Sequence, residues 1–278
     1  MQPTIEEQAV RAAGGDEAAL EAVVRGIQDR VYRLAMRMLG HPDNARDATQ
    51  EILIRVVTRL SSFRSDSKLS TWVYRIASNY LVDDARRTAR EALTFGDLDA
   101  MLAQPANAIE AATLQAADRD LVIEETFIGC TQGMLLCLDR EHRAAFIVGA
   151  ILELDGHEAA HILGIGEAAY RKRLSRARAR LRDFMGSRCG VVNPDAPCRC
   201  EYQVNLNVER GYLRPDGLRL ATHARAHVRE IRGLADDVTV FRRHPLYAAP
   251  DFVARLDGIV RMAPGRPRAD SSGRPPRR

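Results

Sequence analysis

The sequence has no long hydrophobic run. The longest near-continuous apolar stretch in its 278 residues extends from Ala144 to Leu152, which is far too short to cross a bilayer. No apolar segment follows a basic N-terminus, so a secretory signal peptide is not indicated. We therefore expect a cytoplasmic protein that makes no contact with a membrane.

Cysteine is also scarce. The chain has five cysteines, three of them close together late in the sequence, unlike the disulfide framework of a small secreted protein. Glycine, proline and strand patterns are sparse over most of the length, so the predicted fold class is all-α. From Asp16 to Met185 the sequence lacks a nucleophile–base–acid set, a phosphate-binding loop and a carboxylate metal pair. We therefore expect that it is not an enzyme and that it requires no cofactor.

The net charge is small for a chain with a strongly basic segment. It is +4 at pH 7, with an isoelectric point near 8.9. Acidic surfaces must therefore lie elsewhere in the chain, and they need a partner of their own.

The basic segment lies within Leu154 to Arg182, which predicts two short helices that meet at a tight turn. Gly164 ends the first helix, Ile165 fills the corner, and the second helix begins near Glu167, whose carboxylate suits the positive end of the helix dipole. The apolar face of the second helix is formed by residues at helical spacing, namely Tyr170, Leu174, Ala177 and Leu181.

The rest of this second helix is basic. Seven of its twelve residues from 171 to 182 are Arg or Lys and none is acidic. They are Arg171, Lys172, Arg173, Arg176, Arg178, Arg180 and Arg182. This pattern predicts a helix–turn–helix whose second helix enters a major groove, where cations neutralise phosphates and reach guanine edges. The alternative is a solvated arginine-rich helix in a bundle, but such helices usually alternate acidic with basic residues.

Two helices are expected in the first 60 residues, after a short polar tail over 1–15 that is frayed or weakly helical. Asp16 caps a helix that runs to about Leu39, with an apolar face of Leu20, Val23, Val24, Ile27, Val31, Leu34, Ala35 and Met38. The next helix, from about Asp43 to Leu60, places Asp43, Asp47, Gln50 and Glu51 on its polar face.

A third helix is predicted from Trp72 to about Arg87, with Ser70 or Thr71 as its cap. Trp72 and Tyr80 lie beside Arg75 and Asn79, and rings next to basic groups are typical of a surface for single-stranded nucleic acid. The alternative is that the two rings belong to the core.

The motifs in these segments resemble the RNA polymerase sigma factors. DNARDATQEILIRV (43–56) followed by KLSTWVYRIASNYLVDDARR (68–87) is similar to their region 2, and the helix–turn–helix is similar to their region 4. No region 1.1 or region 3 is recognisable, which is the arrangement of the extracytoplasmic-function (ECF) subgroup. The resemblance covers roughly Asp16 to Met185.

The resemblance over Asp16 to Met185, with the composition of the rest of the chain, predicts a set of boundaries. Two small helical domains are joined by a flexible linker and followed by a mostly helical extension. The ranges are an N-terminal tail 1–15, a region 2 domain 16–90, a linker 91–117, a region 4 domain 118–187, a C-terminal extension 188–262 and a disordered Pro/Arg-rich tail 263–278. Two further helices, 118–138 and 140–153, complete the region 4 domain, and they place Cys130 and Cys137 in its core.

The resemblance also implies partners and site residues. Asp47, Gln50 and Glu51 would dock on the β′ clamp helices of core RNA polymerase, and the second domain would meet the β flap. The loop from Arg64 to Ser70 would hold an extruded base of the −10 element. The implied −10 contacts are Ser70, Trp72, Arg75, Asn79, Arg86 and Arg87, and the implied −35 contacts are Arg171, Lys172, Arg173, Arg176 and Arg178. Tyr170 stands where the family more often has valine, so it is either core or a phosphate contact.

The segment after Met185 is not covered by the resemblance to a minimal sigma factor. Cys198 and Cys200, with His223 and His227 four residues apart, form a possible zinc site, with Cys189 as a spare ligand. A redox-active thiol pair and purely structural cysteines are the alternatives. Residues 201–206 alternate enough for one short strand. The extension is a candidate built-in regulator in place of a separate anti-sigma factor, although such a partner is possible too.

The sequence therefore predicts a dissociable sigma subunit that binds core polymerase, recognises −10 and −35 promoter elements and opens the DNA. One competing hypothesis is an autonomous helix–turn–helix regulator with a C-terminal sensing domain, which would read two half-sites as a dimer. The other is a zinc- or thiol-based redox protein with an incidental basic helix.

Overall fold

The computed structural model describes residues 3–64, 67–83, 93–103, 116–209, 213, 241–242 and 249–255. In these ranges it is all-α, as the sequence predicts. The ten α-helices are α1 (Ile5–Ala13), α2 (Glu17–Leu39), α3 (Pro42–Arg59), α4 (Leu69–Asp83), α5 (Phe95–Leu102), α6 (Ala116–Cys137), α7 (Arg140–Phe146), α8 (Gly156–Leu163), α9 (Glu167–Arg188) and α10 (Cys200–Glu209). Short 3₁₀ turns occupy Leu60–Ser62 and Val253–Arg255, and a π-helical turn, Ile147–Ile151, continues α7. None of the helices in these ranges has the length and apolarity that a membrane span requires.

Local chemistry sets the ends of the long helices near the residues predicted. The Asp16 side chain accepts a hydrogen bond from Ala19 N at 2.9 Å and caps α2, which satisfies an otherwise unpaired amide. At its other end Gly40 adopts a left-handed φ of 71°, a conformation that favours glycine. Every residue of the predicted apolar face of α2 is buried.

The N-terminal segment, predicted to be frayed or weakly helical, is a capped and packed helix. Thr4 and Glu7 form a reciprocal capping box at the start of α1, and Ala9 and Ala12 are 1% exposed. Glu6 Oε1 accepts a hydrogen bond from Leu69 N at 3.1 Å, so α1 also supports the start of α4. The sequence signal was weak because the buried stripe of α1 consists mainly of alanine.

The described part of the predicted flexible linker contains a packed helix. Leu98 of α5 is 6% exposed, and the Phe95 ring lies 5.1 Å from that of Phe184. Asp99 also accepts a hydrogen bond from Arg188 Nη2 at 2.6 Å. At least residues 95–102 of this linker are therefore held against α9.

The short strand predicted over residues 201–206 is wrong, because these residues lie within α10. Gln203 and Val204 are buried, and Val204 joins Val122, Ile123 and Leu213 in a small apolar cluster beside α6. Six alternating residues are too few to distinguish a strand from a helix that packs along one side.

The two predicted domains share one continuous apolar core, so the linker is not their only connection. The joint between them is built around Arg143 of α7, which is 7% exposed. Its guanidinium donates to Leu135 O, Leu136 O and Leu138 O at the end of α6, each at 2.7 Å. It also donates to Met38 O near the end of α2. One cation thus satisfies carbonyl groups at two helix C-termini, where positive charge is favoured.

Residues 84–92, 104–115, 214–240 and 256–278 lie outside the described residues. These ranges include Arg86, Arg87, His223, His227 and the predicted C-terminal tail, so those expectations stay predictions.

We expect Arg143→Met to lower the free energy of unfolding by about 3 kcal/mol or more, because several buried carbonyl groups lose their donor. Burial lowers the pKa of Arg143 to about 10, so the wild-type group is charged at neutral pH. Denaturant unfolding of the full chain measures the loss. Arg25→Met, at an exposed position paired with Glu21, is the control and should leave the stability nearly unchanged. Equal stabilities for the two variants would contradict this account.

A second expectation concerns pH and Glu124 of α6, which is 3% exposed. Burial, and then the neighbouring Glu125, raise the pKa of Glu124 to about 7. Between pH 4.5, the ordinary pKa of a glutamate, and about pH 7, the folded state keeps the proton on Glu124 while the unfolded chain loses it. The free energy of unfolding should therefore fall as pH rises from about 4.5 to 7. Glu124→Gln should then stabilise the protein at pH 8 by about 1–3 kcal/mol and have little effect at pH 4.5.

Denaturant unfolding at the two pH values tests this expectation. Glu209→Gln, at an exposed position on α10, is the control and should show no such pH-dependent difference. A Glu124→Gln variant that is no more stable than the wild type at pH 8 would show that the carboxylate is solvated.

Candidate nucleic-acid and polymerase interfaces

The helix–turn–helix is formed by α8 and α9. The Asp155 side chain caps α8 by accepting hydrogen bonds from His157 N and Glu158 N, both at 2.9 Å. Gly164 ends α8 with a left-handed φ of 64°, and Ile165 packs against the apolar cluster of this unit. The glycine turn and the corner residue are therefore where the sequence predicts them.

Tyr170 belongs to the core of this unit and is 2% exposed. Its hydroxyl lies against Gly149 of the π-helical turn, so closely that a Cβ on Gly149 would collide with it. Burial raises the pKa of Tyr170. The alternative that this hydroxyl contacts a phosphate is not supported by its position.

The cations of α9 divide into two groups. Arg173 pairs with Glu141 at 2.7 Å and Arg180 with Asp139 at 3.3 Å, while Arg178 has its Nε buried. Arg173 and Arg178 are half-buried, whereas the Arg180 side chain is 51% exposed. Of the predicted −35 contacts, Arg173 and Arg178 therefore lie away from the open face.

The second group lies on the open face of α9. Lys172 and Arg176 are exposed, and neither has an ion-pair partner within the described part of the chain. Arg171 is also exposed and pairs with Glu167 of the same helix at 3.1 Å. The small side chains on this face are Ala168, Ala169, Ser175 and Ala179, all exposed. A duplex can therefore approach the helix backbone closely beside free cations.

Of the predicted −10 residues on α4, Trp72, Arg75 and Asn79 share one side of the helix, whereas Ser70 lies on another side. Trp72 is half-buried, and its ring lies 5.6 Å from that of Phe63 in the preceding loop. Arg75 and Asn79 are exposed, and Ser70 is half-buried in the first turn of the helix. Tyr80 is half-buried with the Arg55 guanidinium 4.7 Å from its ring centroid, so neither ring is fully in the core.

A contact that sequence reasoning missed joins α4 to α8. Arg75 Nη1 lies 3.1 Å from His161 Nε2, and the Thr71 hydroxyl donates to Glu158 Oε1. Tyr74 packs against the apolar clusters on both sides of this contact, and burial raises its pKa. Nothing in the sequence signals this contact, because the paired residues are 86 and 87 positions apart.

The polar face of α3 is open and mostly acidic. Asp43, Asp47 and Glu51 are exposed and Gln50 is half-buried. Arg46 lies among them and contacts Asp43 at 2.9 Å and Asp47 at 3.8 Å, so the face has three carboxylates and one cation. Because the opposite side of α3 is buried in the core, only this acidic face is available to a partner.

The C-terminal extension contacts both domains. On the second domain, the Phe241 ring packs edge-on at 5.2 Å against Phe146, and Arg242 Nε donates to Ala150 O at 2.6 Å. On the first domain, the Phe252 ring lies 6.2 Å from that of Tyr32. Phe252 N also donates to Gln28 Oε1 at 3.0 Å. The described segments 241–242 and 249–255 of the extension therefore each contact one of the two domains, and each has a fully buried phenylalanine. We call these two anchored segments the strap.

The five cysteines are free thiols. Burial raises the pKa of Cys198 to about 11 and that of Cys130 well above its usual range, so both are protonated at neutral pH. Because the thiolate is the reactive form, this favours structural cysteines over a redox-active pair. Burial likewise raises the pKa of Cys137 to about 12. Cys130 and Cys137 are half-buried and pack against the core, rather than lying fully inside it as predicted.

The predicted zinc site is not formed within the described residues. They contain no group of three or more His, Cys, Asp or Glu side chains that could hold a metal ion. Cys198 and Cys200 are described, but His223 and His227 lie outside the described ranges. The zinc site stays a prediction.

Comparison with known proteins places this architecture among transcription proteins. The family model for sigma-70 region 2 matches residues 23–91. The chain is 30% identical to the ECF RNA polymerase sigma factor SigW of Bacillus subtilis over 185 residues, 66% of this chain and 97% of that protein. It is 34% identical to the ECF RNA polymerase sigma factor SigE of Mycolicibacterium smegmatis, over 64% of this chain and 66% of that protein.

Two solved structures are more distant. The sigma factor RpoE of Bartonella quintana, in complex with the anti-sigma factor NepR, is 22% identical with a TM-score of 0.41, over 58% of this chain and 93% of that one. CnrH, in complex with the cytosolic domain of CnrY, is 22% identical with a TM-score of 0.44, over 64% of this chain and 94% of that one. Both TM-scores are below 0.5, so these two superpositions do not bear on partners of this chain.

Proposed function

Because the chain belongs to the ECF RNA polymerase sigma factors, we propose that it binds core RNA polymerase in the cytoplasm, directs it to promoters with −10 and −35 elements and helps to melt the DNA. The observation that carries this proposal is the separation of charge between two open helix faces. The acidic face of α3 and the basic face of α9 lie on different domains, and each needs its own macromolecular partner.

The partner proposed for α3 is the β′ clamp of the polymerase. Asp47 and Glu51 are exposed beside Gln50, and carboxylates on an open helix face complement a basic helical surface. The same carboxylates would repel phosphates, so α3 is the helix least suited to DNA. An autonomous helix–turn–helix regulator would have no use for this face.

The partner proposed for α9 is the −35 duplex, held first by Lys172 and Arg176 and second by Arg171. The first two side chains have no competing acidic partner among the described residues, so their charge is available to phosphates. Ala168 and Ala169, at the exposed start of the helix, leave space for base edges. Arg173 and Arg178 hold α9 in its own domain and act on DNA only by positioning it.

The partner proposed for α4 is the melted −10 strand. Trp72, Arg75 and Asn79 lie on one side of the helix and can combine ring stacking with contacts to the backbone. The loop before α4 would accept the extruded base, whose stacking and capture offset part of the cost of opening the duplex. Arg75 must leave His161 to take part.

The test is a pair of variants with opposite outcomes. Glu51→Lys should weaken binding to core polymerase at least tenfold, because it inverts one charge in the interface, and should leave binding to an isolated −35 duplex unchanged. Lys172→Ala with Arg176→Ala should weaken duplex binding roughly tenfold and reduce its salt dependence by about two phosphate contacts. The polymerase affinity of this double variant should stay at the wild-type value.

Arg173→Ala is the matched control, since it removes a cation of α9 that is paired with Glu141 rather than exposed. It should affect duplex binding less than either Lys172→Ala or Arg176→Ala. Failure of the wild-type chain to bind core polymerase, or an equal loss of both activities in Glu51→Lys, would contradict the proposal.

We also propose that the C-terminal strap restrains the protein in a closed form. The strap links α2 to α7 through Phe252 and Phe241, and in the same arrangement α4 lies against α8. Two polar groups of α4, on Thr71 and Arg75, are then engaged by Glu158 and His161 instead of DNA. Release of the strap should make separation of α4 from α8 less costly and expose the −10 surface.

Phe252→Ala tests this restraint by removing a buried ring at the α2 end of the strap. We expect the full chain to expand, measured as a larger radius of gyration in X-ray scattering, and to increase promoter-specific transcription with core polymerase. Val253→Ala, a half-buried neighbour in the same segment, is the control. Phe241→Ala should reproduce the effect from the other end. Reduced transcription by a folded Phe252→Ala variant would show that the strap supports activity rather than restrains it.

A further inference from the structure

A cavity of about 480 Å³ lies where α2, α5, α6, α9 and the extension meet. Its wall is mostly apolar and includes Tyr32 and Met36 of α2, Met134 of α6, Phe184 of α9 and Leu213 of the extension. The volume is within the range of small-molecule sites, about 300–1,000 Å³. No feature of polymerase or promoter binding requires an opening at this place.

Two glycines of α6 keep the cavity open. Gly129 and Gly133 both line it, one helical turn apart. Among the described residues, a Cβ added at Gly129 would meet nothing within 4 Å, and one added at Gly133 would meet only Leu98 Cδ1 at 3.9 Å. Neither glycine has a left-handed φ. Packing and backbone conformation would therefore both accept alanine, which is favoured over glycine inside a helix. The glycines leave room for something larger than a methyl group.

The polar groups in the wall restrict the charge of an occupant. Arg188 is held by Asp99, and Gln203 Nε2 donates to Leu102 O at 3.2 Å, so neither is free to bind an anion. Glu125, in the same wall, would repel one and has a partner already. The sulfur atoms of Met36, Met134 and the protonated Cys130 are polarisable and suit aromatic or aliphatic groups.

We propose that this cavity is a binding site for a neutral, largely apolar small molecule. Gly129 is exposed to solvent, so the cavity has an entrance on that side of α6. A molecule held there touches both domains, the linker helix and the extension, and so stabilises their packing by binding the folded, assembled chain. Its effect on transcription rests on the proposed function, whereas its binding does not.

The experiment uses N-phenyl-1-naphthylamine, a neutral apolar fluorophore, with the full-length wild-type chain and no polymerase. We expect saturable fluorescence enhancement with one probe per chain and a higher melting temperature when the probe is bound. Gly129→Leu places a side chain in the cavity and should weaken probe binding at least tenfold. Its melting temperature without the probe should equal or exceed that of the wild type.

Gly186→Leu is the matched control, because Gly186 of α9 also has nothing within 4 Å of an added Cβ but does not line the cavity. It should bind the probe as the wild type does. Gly133→Leu provides a second filled cavity if Gly129→Leu does not fold.

Absence of saturable binding to the wild type, or equal binding by the wild type and a folded filled-cavity variant, would overturn the inference. Transcription by the wild type with core polymerase is measured in parallel. The two measurements therefore test the ligand site and the proposed function separately, and either one can be contradicted without the other.

Discussion

The structure depends on how the free carbonyl groups at the ends of α2 and α6 are satisfied. A helix leaves its last carbonyls without intrahelical donors, and here two such ends are buried next to each other between domains. Arg143 supplies one planar set of donors to both. Gln132 adds a hydrogen bond to Met36 O at 3.1 Å. Because these bonds are directional, they fix where α6 and α7 lie relative to α2, and they thereby bring α8 against α4.

Some of the charged side chains on α3 and α9 form ion pairs within the protein and are therefore less available to a partner. The Glu141 and Asp139 carboxylates of the second domain are neutralised by Arg173 and Arg180, so part of the arginine-rich face of α9 is structural. Arg171, Lys172 and Arg176 form a narrow exposed basic strip on that helix, and Arg180 and Arg182 are exposed as well. Similarly, Arg46 moderates the acidic face of α3. The proposed interfaces on α3 and α9 therefore contain fewer charged residues than a count along each helix suggests.

The sequence predicts those parts of the fold that depend on residues close together along the chain. Asp16, Gly40 and Gly164 mark helix ends through capping and turn chemistry, and the apolar periodicity of α2 gives its buried face. The packing of α1 and α5 escapes this reasoning, because Ala9, Ala12 and Leu98 are too few and too weakly apolar to stand out. The Arg75–His161 contact and the Phe252–Tyr32 contact could not be predicted, because nothing along the chain specifies a pairing of positions so far apart. The half-burial of Arg173 and Arg178 could not be predicted for the same reason, because their surroundings come from elsewhere in the chain, and their contact with −35 DNA stays a prediction.

The contact between α4 and α8 gives a physical reason for a C-terminal extension in a protein of this kind. A hydrogen bond between Arg75 and His161 at an exposed position is weak on its own, since water competes for both groups. The partial burial of Tyr74 between the two apolar clusters adds more, and the Arg143 joint already holds α6 and α7 to α2. Anchoring Phe241 in one domain and Phe252 in the other adds to this cost, because separation must then expose at least one buried ring. In the closed form that we propose, the strap therefore adds to a weak local contact, and loosening either anchor would change how much of the proposed −10 surface is available.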